Sequence, residues 1–353
     1  MSSAPAPPAN AARVAVIVPA YGVAHLLGEA LDSLRAQSLA EWECVVIDDG
    51  APDDVAVAVA PYLADPRIRF LATDNRGVSA ARNRAVAASS APYVALLDGD
   101  DLYRPDYLAR TVAALDADPY ARLVTCNARI FGAVPRERLC FDRKQGSGDG
   151  TTGSLGDVLD RAFGVYIGTT FRRADFDQVG GFDESMTHAE DFDLWVRLVL
   201  LGGHARYVDE VLGEYRVRPS SASASAAKML RGNLRVYEKA LAQLGAGPEA
   251  GIAHRMIAEN HAQLAFEEAV AQVADGDVAR GLPALRAARR GRGGAVWAAA
   301  FLLWRVAPGL APAMMRWRRT ANARGNADKA VPALGVALAQ VSDVVGAVGT
   351  VAL

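Results

Sequence analysis

Hydrophobic residues in the first hundred positions fall in short continuous runs, and each run gives way at once to polar or acidic residues. Residues 14–18 (VAVIV) end at Pro19, and residues 45–47 (VVI) end in Asp48-Asp49-Gly50. Residues 68–71 lead to the turn Asp74-Asn75-Arg76-Gly77, and residues 93–97 deliver Asp98-Gly99-Asp100-Asp101. Runs of this kind, rich in β-branched residues, predict buried strands. Between them Leu27, Ala30, Leu31 and Leu34 recur at helical spacing, and residues 79–88 predict a small-residue helix carrying Arg82, Asn83 and Arg84. A β-α-β-α-β alternation argues for an α/β fold with a mainly parallel sheet covered by helices. Ligands bind such sheets beyond the carboxyl ends of the strands. Pro19 and Tyr21, Asp48 and Asp49, and Asp98 and Asp100 are therefore expected on one edge.

Further along, residues 123–127 and 164–171 predict strands. A Gly-, Arg- and Lys-rich irregular loop is expected over 131–153 and a turn region over 175–181. Glu190-Asp191 opens a helix whose Phe192, Trp195, Val196 and Val199 share one face. After the Ser/Ala-rich residues 220–227 the pattern changes to Ala-rich helices over 230–244, 252–273 and 278–290, a helical appendage without a fixed repeat. The apolar stretch that follows is interrupted by Arg305, Pro308 and Pro312, short of the ~20 residues a spanning helix needs. Trp297, Trp304 and Trp317 beside arginines suit an anchor at an anionic membrane surface, and equally a core helix with a basic solvated face. The expected organisation is a disordered leader over 1–12, a catalytic domain over 13–222, a helical region over 223–330 with a membrane-surface candidate, and an apolar tail over 331–353.

Composition narrows the partners. A chain of 353 residues can bury a large core, and a net charge of -2 provides no global field to draw in nucleic acid. Cys44, Cys126 and Cys140 lack metal-ligand spacing and read as reduced thiols of a cytoplasmic protein. The leader has neither a basic start nor an apolar segment, unlike a secretion signal. The expected location is the cytoplasm, with peripheral attachment at the inner face of the cytoplasmic membrane.

Three carboxylates in four positions repel one another unless a cation sits among them. Mg²⁺ and similar ions take one or two protein carboxylates plus phosphate oxygens. Gly99 lets the backbone turn tightly there. An aromatic and a carboxylate, such as Tyr21 and Asp49, can hold a base by stacking and by accepting its N–H, although both also suit surface packing and loop capping. The Glu190-Asp191 pair either complements a helix dipole or supplies a base. The first strand-to-helix turn contains no G-x-G-x-x-G, which counts against a dinucleotide oxidoreductase.

In order and spacing, the segments VAVIVPAYG, EWECVVIDDGAPDD, DNRGVSAARNRAV, APYVALLDGDDLYRPDYL and GGFDES…AEDFDLWVRL resemble family 2 glycosyltransferases of the GT-A fold, across roughly residues 13 to 218. The resemblance implies a Rossmann-like GT-A domain, a nucleoside diphosphate sugar donor (UDP- or dTDP-sugar foremost) and a divalent cation, Mg²⁺ or Mn²⁺. It further implies a glycan or lipid-linked acceptor in cell-surface polysaccharide biosynthesis, with inversion at the anomeric carbon. By the same resemblance Pro19, Tyr21 and Asp49 line the nucleoside pocket, and Arg82 lies near the acidic turn and the phosphates. Asp98 sits by ribose and metal, Asp100 is the direct metal ligand, Asp191 is the catalytic base, and Glu190 orients it or an acceptor hydroxyl. One departure is Tyr215-Arg216-Val217-Arg218, where family members often carry a histidine; Arg218 could instead hold the diphosphate. Arg316-Trp317 is preceded by alanine at 313, not the glutamine of processive synthases, so one or a few sugars are expected per acceptor. The competing readings are a non-catalytic sugar-nucleotide-binding scaffold and a nucleotidyltransferase. The latter requires a Gly- and Lys/Arg-rich loop that Pro19-Ala20-Tyr21-Gly22 lacks.

Overall fold

A computed structural model describes residues 12–141, 150–166, 168–218, 225–289 and 295–325. The expected leader apart from Ala12, residues 142–149 of the irregular loop, Arg290, Arg292 and the tail over 331–353 lie outside the described residues.

The elements run β1 (Val14–Ala20), α1 (Ala24–Arg35), β2 (Trp42–Asp49), α2 (Val55–Val59), β3 (Ile68–Thr73), α3 (Val78–Ala87), β4 (Tyr93–Leu96), β5 (Leu102–Tyr103) and α4 (Tyr107–Ala117). Then follow β6 (Ala121–Gly132), β7 (Arg138–Leu139), β8 (Thr152–Gly153), α5 (Leu155–Leu159), β9 (Thr170–Arg172), α6 (Arg173–Gln178), α7 (Glu190–Leu200) and β10 (His204–Val217). The chain continues as helices α8 (Ala226–Leu241), α9 (Pro248–Ala274), α10 (Val278–Ala288), α11 (Ala295–Val306) and α12 (Leu310–Gly325).

The main path of the sheet is β3-β2-β1-β4-β9-β6-β10-β5. β3, β2, β1 and β4 are parallel, as the β-α-β-α-β alternation predicts. The expectation of a mainly parallel sheet needs correction beyond β4. β9 pairs antiparallel with both β4 and β6, and β5 and β8 pair antiparallel with β10, so the sheet is mixed. Parallel pairing needs a covering crossover, and α1, α2 and α3 supply it between β1, β2, β3 and β4.

Two further expectations change. Of residues 164–171 only Thr170 and Phe171 are in a strand. Tyr166 turns inward instead, its N–H bonding Thr125 Oγ1 at 3.1 Å, and its ring lies where a Cβ on Gly168 or Gly213 would intrude. Residues 175–178, expected within a turn region, belong to α6, and Gly180 and Gly181 (φ 78° and 74°) then turn the chain back. The short α5 is an addition, started by a capping box between Ser154 and Asp157.

The chain divides into two compact units. The first comprises residues 1–131, 137–216 and 232–257, and the second 132–136, 217–231 and 258–353. In the first, Val14, Val16, Val18, Leu27, Leu31, Cys44, Val46 and Leu97 form the main core between sheet and helices. In the second, Phe266, Val270, Val273, Leu285, Trp297, Phe301 and Trp304 form a separate core. Trp297 and Trp304 are thus packing residues and not membrane anchors; Trp317 alone of the three is exposed.

Candidate functional site

The loops after β1 and β2 are tied together by carboxylates. Asp53 accepts hydrogen bonds from the N–H groups of Gly22 (2.9 Å) and Ala24 (2.6 Å), which fixes the loop holding Tyr21. Tyr21 is exposed and Pro19 half-buried. Asp49 is buried, and its two oxygens accept from Arg76 N (2.9 Å) and Gly77 N (3.0 Å). A carboxylate offers about four lone-pair sites, so this capping leaves acceptor capacity. Asp49, Thr73, Arg76, Asn83 and Arg84 are among the lining of a cavity of about 300 Å³.

The acidic turn after β4 divides its carboxylates. Asp101 is only 2% exposed. It accepts from Arg216 N at 2.8 Å and meets the Tyr166 hydroxyl at 3.5 Å. Burial pushes its carboxyl well above the usual range, and the charges of Asp98 and Asp100 add to that. Arg216 closes around the turn: its Nε donates to the Asp100 carbonyl (2.8 Å), its other end pairs with Glu29 (2.7 Å), and its guanidinium lies over Phe131. Gly99 keeps the turn close to β1 and α1: a Cβ would stand 3.1 Å from the Pro19 carbonyl and 3.0 Å from Val23, so its neighbours would have to shift. Asp98 and Asp100 are left half-exposed.

α3 connects this turn to the start of α7. Arg82, 3% exposed, donates to Asp98 (2.8 Å) and to Glu190 (3.0 Å). Burial works against the charge on its guanidinium, but Asp98 and Glu190 outweigh it and the proton is held more tightly than usual. Burial pushes the Glu190 carboxyl up, with the charge of Asp191 adding to it. The neighbouring Asn83 fixes the preceding segment, donating to Phe182 O (2.9 Å) and accepting from Phe182 N (2.8 Å).

Asp191 lies half-buried in the first turn of α7, after Ala189 in a left-handed conformation (φ 59°, ψ 26°). Such a conformation in alanine persists where surroundings enforce it. Here α8 does so: a Cβ on Gly232 would come within 2.5 Å of the His188 carbonyl and 3.1 Å of the Ala189 methyl. Asp193, 1% exposed, is held by Lys239 of α8 (2.5 Å) and by Arg197 (2.6 Å).

Of the residues singled out in the sequence, Asp98, Arg82 and Glu190 are thus joined directly, with Asp191 beside them and Asp100 two residues along the turn. Pro19, Tyr21 and Asp49 belong to the loops after β1 and β2. Arg218 follows β10, is half-buried and falls in the second unit. Asp53, Arg216, Tyr166 and Gly232 were not anticipated. Only Asp53 left a trace, as the last-but-one acid of Asp48-Asp49-Gly50-Ala51-Pro52-Asp53-Asp54. Among the described residues no group of three or more His, Cys, Asp or Glu side chains forms a ready metal cage. Asp98 and Asp100 fit the other kind of site, in which a hard cation takes one or two carboxylates and phosphate oxygens complete its shell.

Residues 15–180 match the family model for glycosyl transferase family 2. The succinoglycan biosynthesis protein ExoU of Rhizobium meliloti is 32% identical over 227 residues, which span 60% of this chain and 64% of that protein. The uncharacterized protein y4gI of Sinorhizobium fredii is 32% identical over 226 residues, 61% of this chain and 24% of that protein. The match thus spans about a quarter of one relative and just under two thirds of the other. Among solved structures, mannosyltransferase PcManGT of Pyrobaculum calidifontis, in complex with GDP-Man and Mn²⁺, superposes with a TM-score of 0.58 at 23% identity, covering 90% of this chain and 86% of that one. S. aureus TarS 1-349 in complex with UDP-GlcNAc gives 0.57 at 19%, covering 70% of this chain and 71% of that one. The fold is the GT-A glycosyltransferase fold. The likeness to glycosyl transferase family 2 extends over residues 15–180, just under half of the chain.

Proposed function

We propose that this protein is an inverting, divalent-cation-dependent glycosyltransferase. It moves one sugar, or a few, from a nucleoside diphosphate sugar, UDP- or dTDP-linked, to a hydroxyl of a glycan or lipid-linked acceptor in cell-surface polysaccharide assembly. The catalytic domain covers residues 13–222, followed by a helical region over 223–330 and a tail over 331–353. The observation that carries the reading is the Arg82 bridge, which ties the Asp98 turn to the Glu190-Asp191 helix start. A phosphate-side turn and a base have to be held opposite each other for an in-line displacement. The neighbouring structures, one in complex with UDP-GlcNAc and the other with GDP-Man and Mn²⁺, support the donor class and the cation. The succinoglycan relative supports a polysaccharide acceptor.

In this mechanism the nucleobase stacks on Tyr21 beside Pro19, and the spare lone pairs of Asp49 accept its N–H. Asp191 removes the proton from the acceptor hydroxyl as that oxygen bonds to the anomeric carbon. The bond from that carbon to the diphosphate oxygen breaks, and its electron pair leaves with the nucleoside diphosphate. Glu190, anchored by Arg82, orients Asp191 or the incoming hydroxyl. Asp98 and Asp100 would hold a divalent cation, which when bound would offset the charge gathering on the leaving group.

The test is a panel of UDP-, dTDP- and GDP-sugars with Mg²⁺ or Mn²⁺, read by donor binding and donor hydrolysis. One donor should bind in a metal-dependent way, and Asp100→Ala should abolish that binding. Asp191→Asn should keep donor affinity and lower turnover by about 10³-fold. A folded protein that binds donor but shows no turnover for Asp191→Asn to remove is the scaffold of the alternative reading; one that binds no donor defeats both.

A further inference from the structure

α11 is apolar around its whole circumference, with Arg305 its only charged residue among twelve. Trp297, Phe301 and Trp304 point into the core of the second unit. The opposite face is open: Leu302 is 65% exposed, Val306 85%, and Leu303 and, past the Pro308-Gly309 turn, Leu310 are exposed as well. Five of the ten large hydrophobic residues exposed among the described residues fall within 302–317, whereas Tyr21, Val57, Leu63, Tyr120 and Leu139 are scattered. A helix apolar on every side calls for apolar surroundings on every side.

The charges around this face have one sign. From residue 278 to 325 the sequence has ten arginines and no aspartate or glutamate, in a chain whose net charge is -2. Arg280, Arg286 and Arg305 are exposed. Arg318 pairs with Glu267 of α9 and Arg319 with Asp275 just beyond it, so part of the positive charge is neutralised. No helix among the described residues is long and apolar enough to cross a membrane.

We infer that the outer face of α11 and the turn into α12 form a docking surface for an anionic lipid bilayer. Leu302, Leu303, Val306 and Leu310 enter the headgroup–acyl boundary, and Arg305, with the exposed Arg280, meets the acidic headgroups. A nucleic acid would satisfy the arginines and leave the leucines in water; a bilayer satisfies both. The inference deepens the proposed transfer to a lipid-linked or surface-glycan acceptor by giving the enzyme a place at the membrane. Flotation needs no turnover, so its failure would leave the transferase reading standing.

The experiment floats the full chain with vesicles of equal parts phosphatidylglycerol and phosphatidylcholine, and with pure phosphatidylcholine. Binding to the anionic vesicles should be strong, weakened by salt, and at least about tenfold weaker on the neutral ones. The double variant Leu302→Glu/Val306→Glu should lose at least about tenfold in binding at unchanged melting temperature, while Val57→Glu in the first unit should change nothing. Leu310→Glu, outside α11, gives the same reading if that helix rejects two acids. Failure of the parent chain to float, or equal flotation of the variants, overturns the proposal. So does a dimer in solution that the double variant converts to monomer, because the face then belongs to a second copy of the chain.

Discussion

Asp98-Gly99-Asp100-Asp101 and Glu190-Asp191-Phe192-Asp193 are two acidic clusters of the same unit, and each withdraws one carboxyl group into the interior. Asp101 is met by neutral donors, the Arg216 N–H and, at 3.5 Å, the Tyr166 hydroxyl. Asp193 is met by two cations, Lys239 and Arg197. The first arrangement lets the interior hold the carboxyl in its neutral form. The second requires the charge, because removing it takes a carboxylate from two positive groups. Proximity in sequence therefore says little about which carboxylates remain for chemistry; that depends on what each meets across the fold.

Substitutions can break or sharpen this contrast. Asp193→Asn should destabilise the protein by about 3 kcal/mol, read from the urea midpoint, by leaving Arg197 without a carboxylate and Lys239 with Asp183 alone. Gly232→Ala should cost about 2 kcal/mol, since the new methyl meets the His188 backbone at 2.5 Å. The same variant should lower turnover more than donor affinity, because it disturbs the turn that presents Asp191. Lys239 also donates to Asp183 at 2.8 Å. Burial alone would raise the Asp183 carboxyl, but that bond and those from Ser185 outweigh it and hold it well below its usual range. The folded state then binds this proton less readily than the unfolded chain, so the stabilisation is complete above about pH 4 and fades as the pH falls further. Asp183→Asn should accordingly flatten the loss of melting temperature on acidification below that point. The smallest effect is expected from Asp101→Asn, within about 1 kcal/mol, because an amide can accept from Arg216 N and donate to Tyr166.

The parallel half of the sheet was legible because β1, β2 and β4 carry continuous apolar runs, and the polar residues following each run marked the functional edge. α7 was legible from the spacing of Phe192, Trp195, Val196 and Val199, all buried in the structure. The antiparallel half was not. β9 is three residues long, and the partner of Asp101 lies 115 residues away at Arg216, a pairing without any local periodicity. The sequence pattern picked out Arg218 and passed over Arg216, since two arginines two positions apart at the end of β10 look alike until one of them meets the acidic turn. Tyr166 was read as a strand residue because an aromatic among β-branched neighbours is also what a strand contains.

The close approach of α8 to the turn before Glu190 bears on where this domain can be trimmed. A chain cut after β10, where the strand pattern runs out, would keep every acidic residue named for chemistry. It would nonetheless lose Lys239 from Asp193, the Tyr237 ring packed against Phe192, and the Gly232 backbone behind Ala189. Such a fragment would be inactive for want of a helix that touches no substrate, and a deletion series would credit residues 232–241 with a catalytic part they do not have.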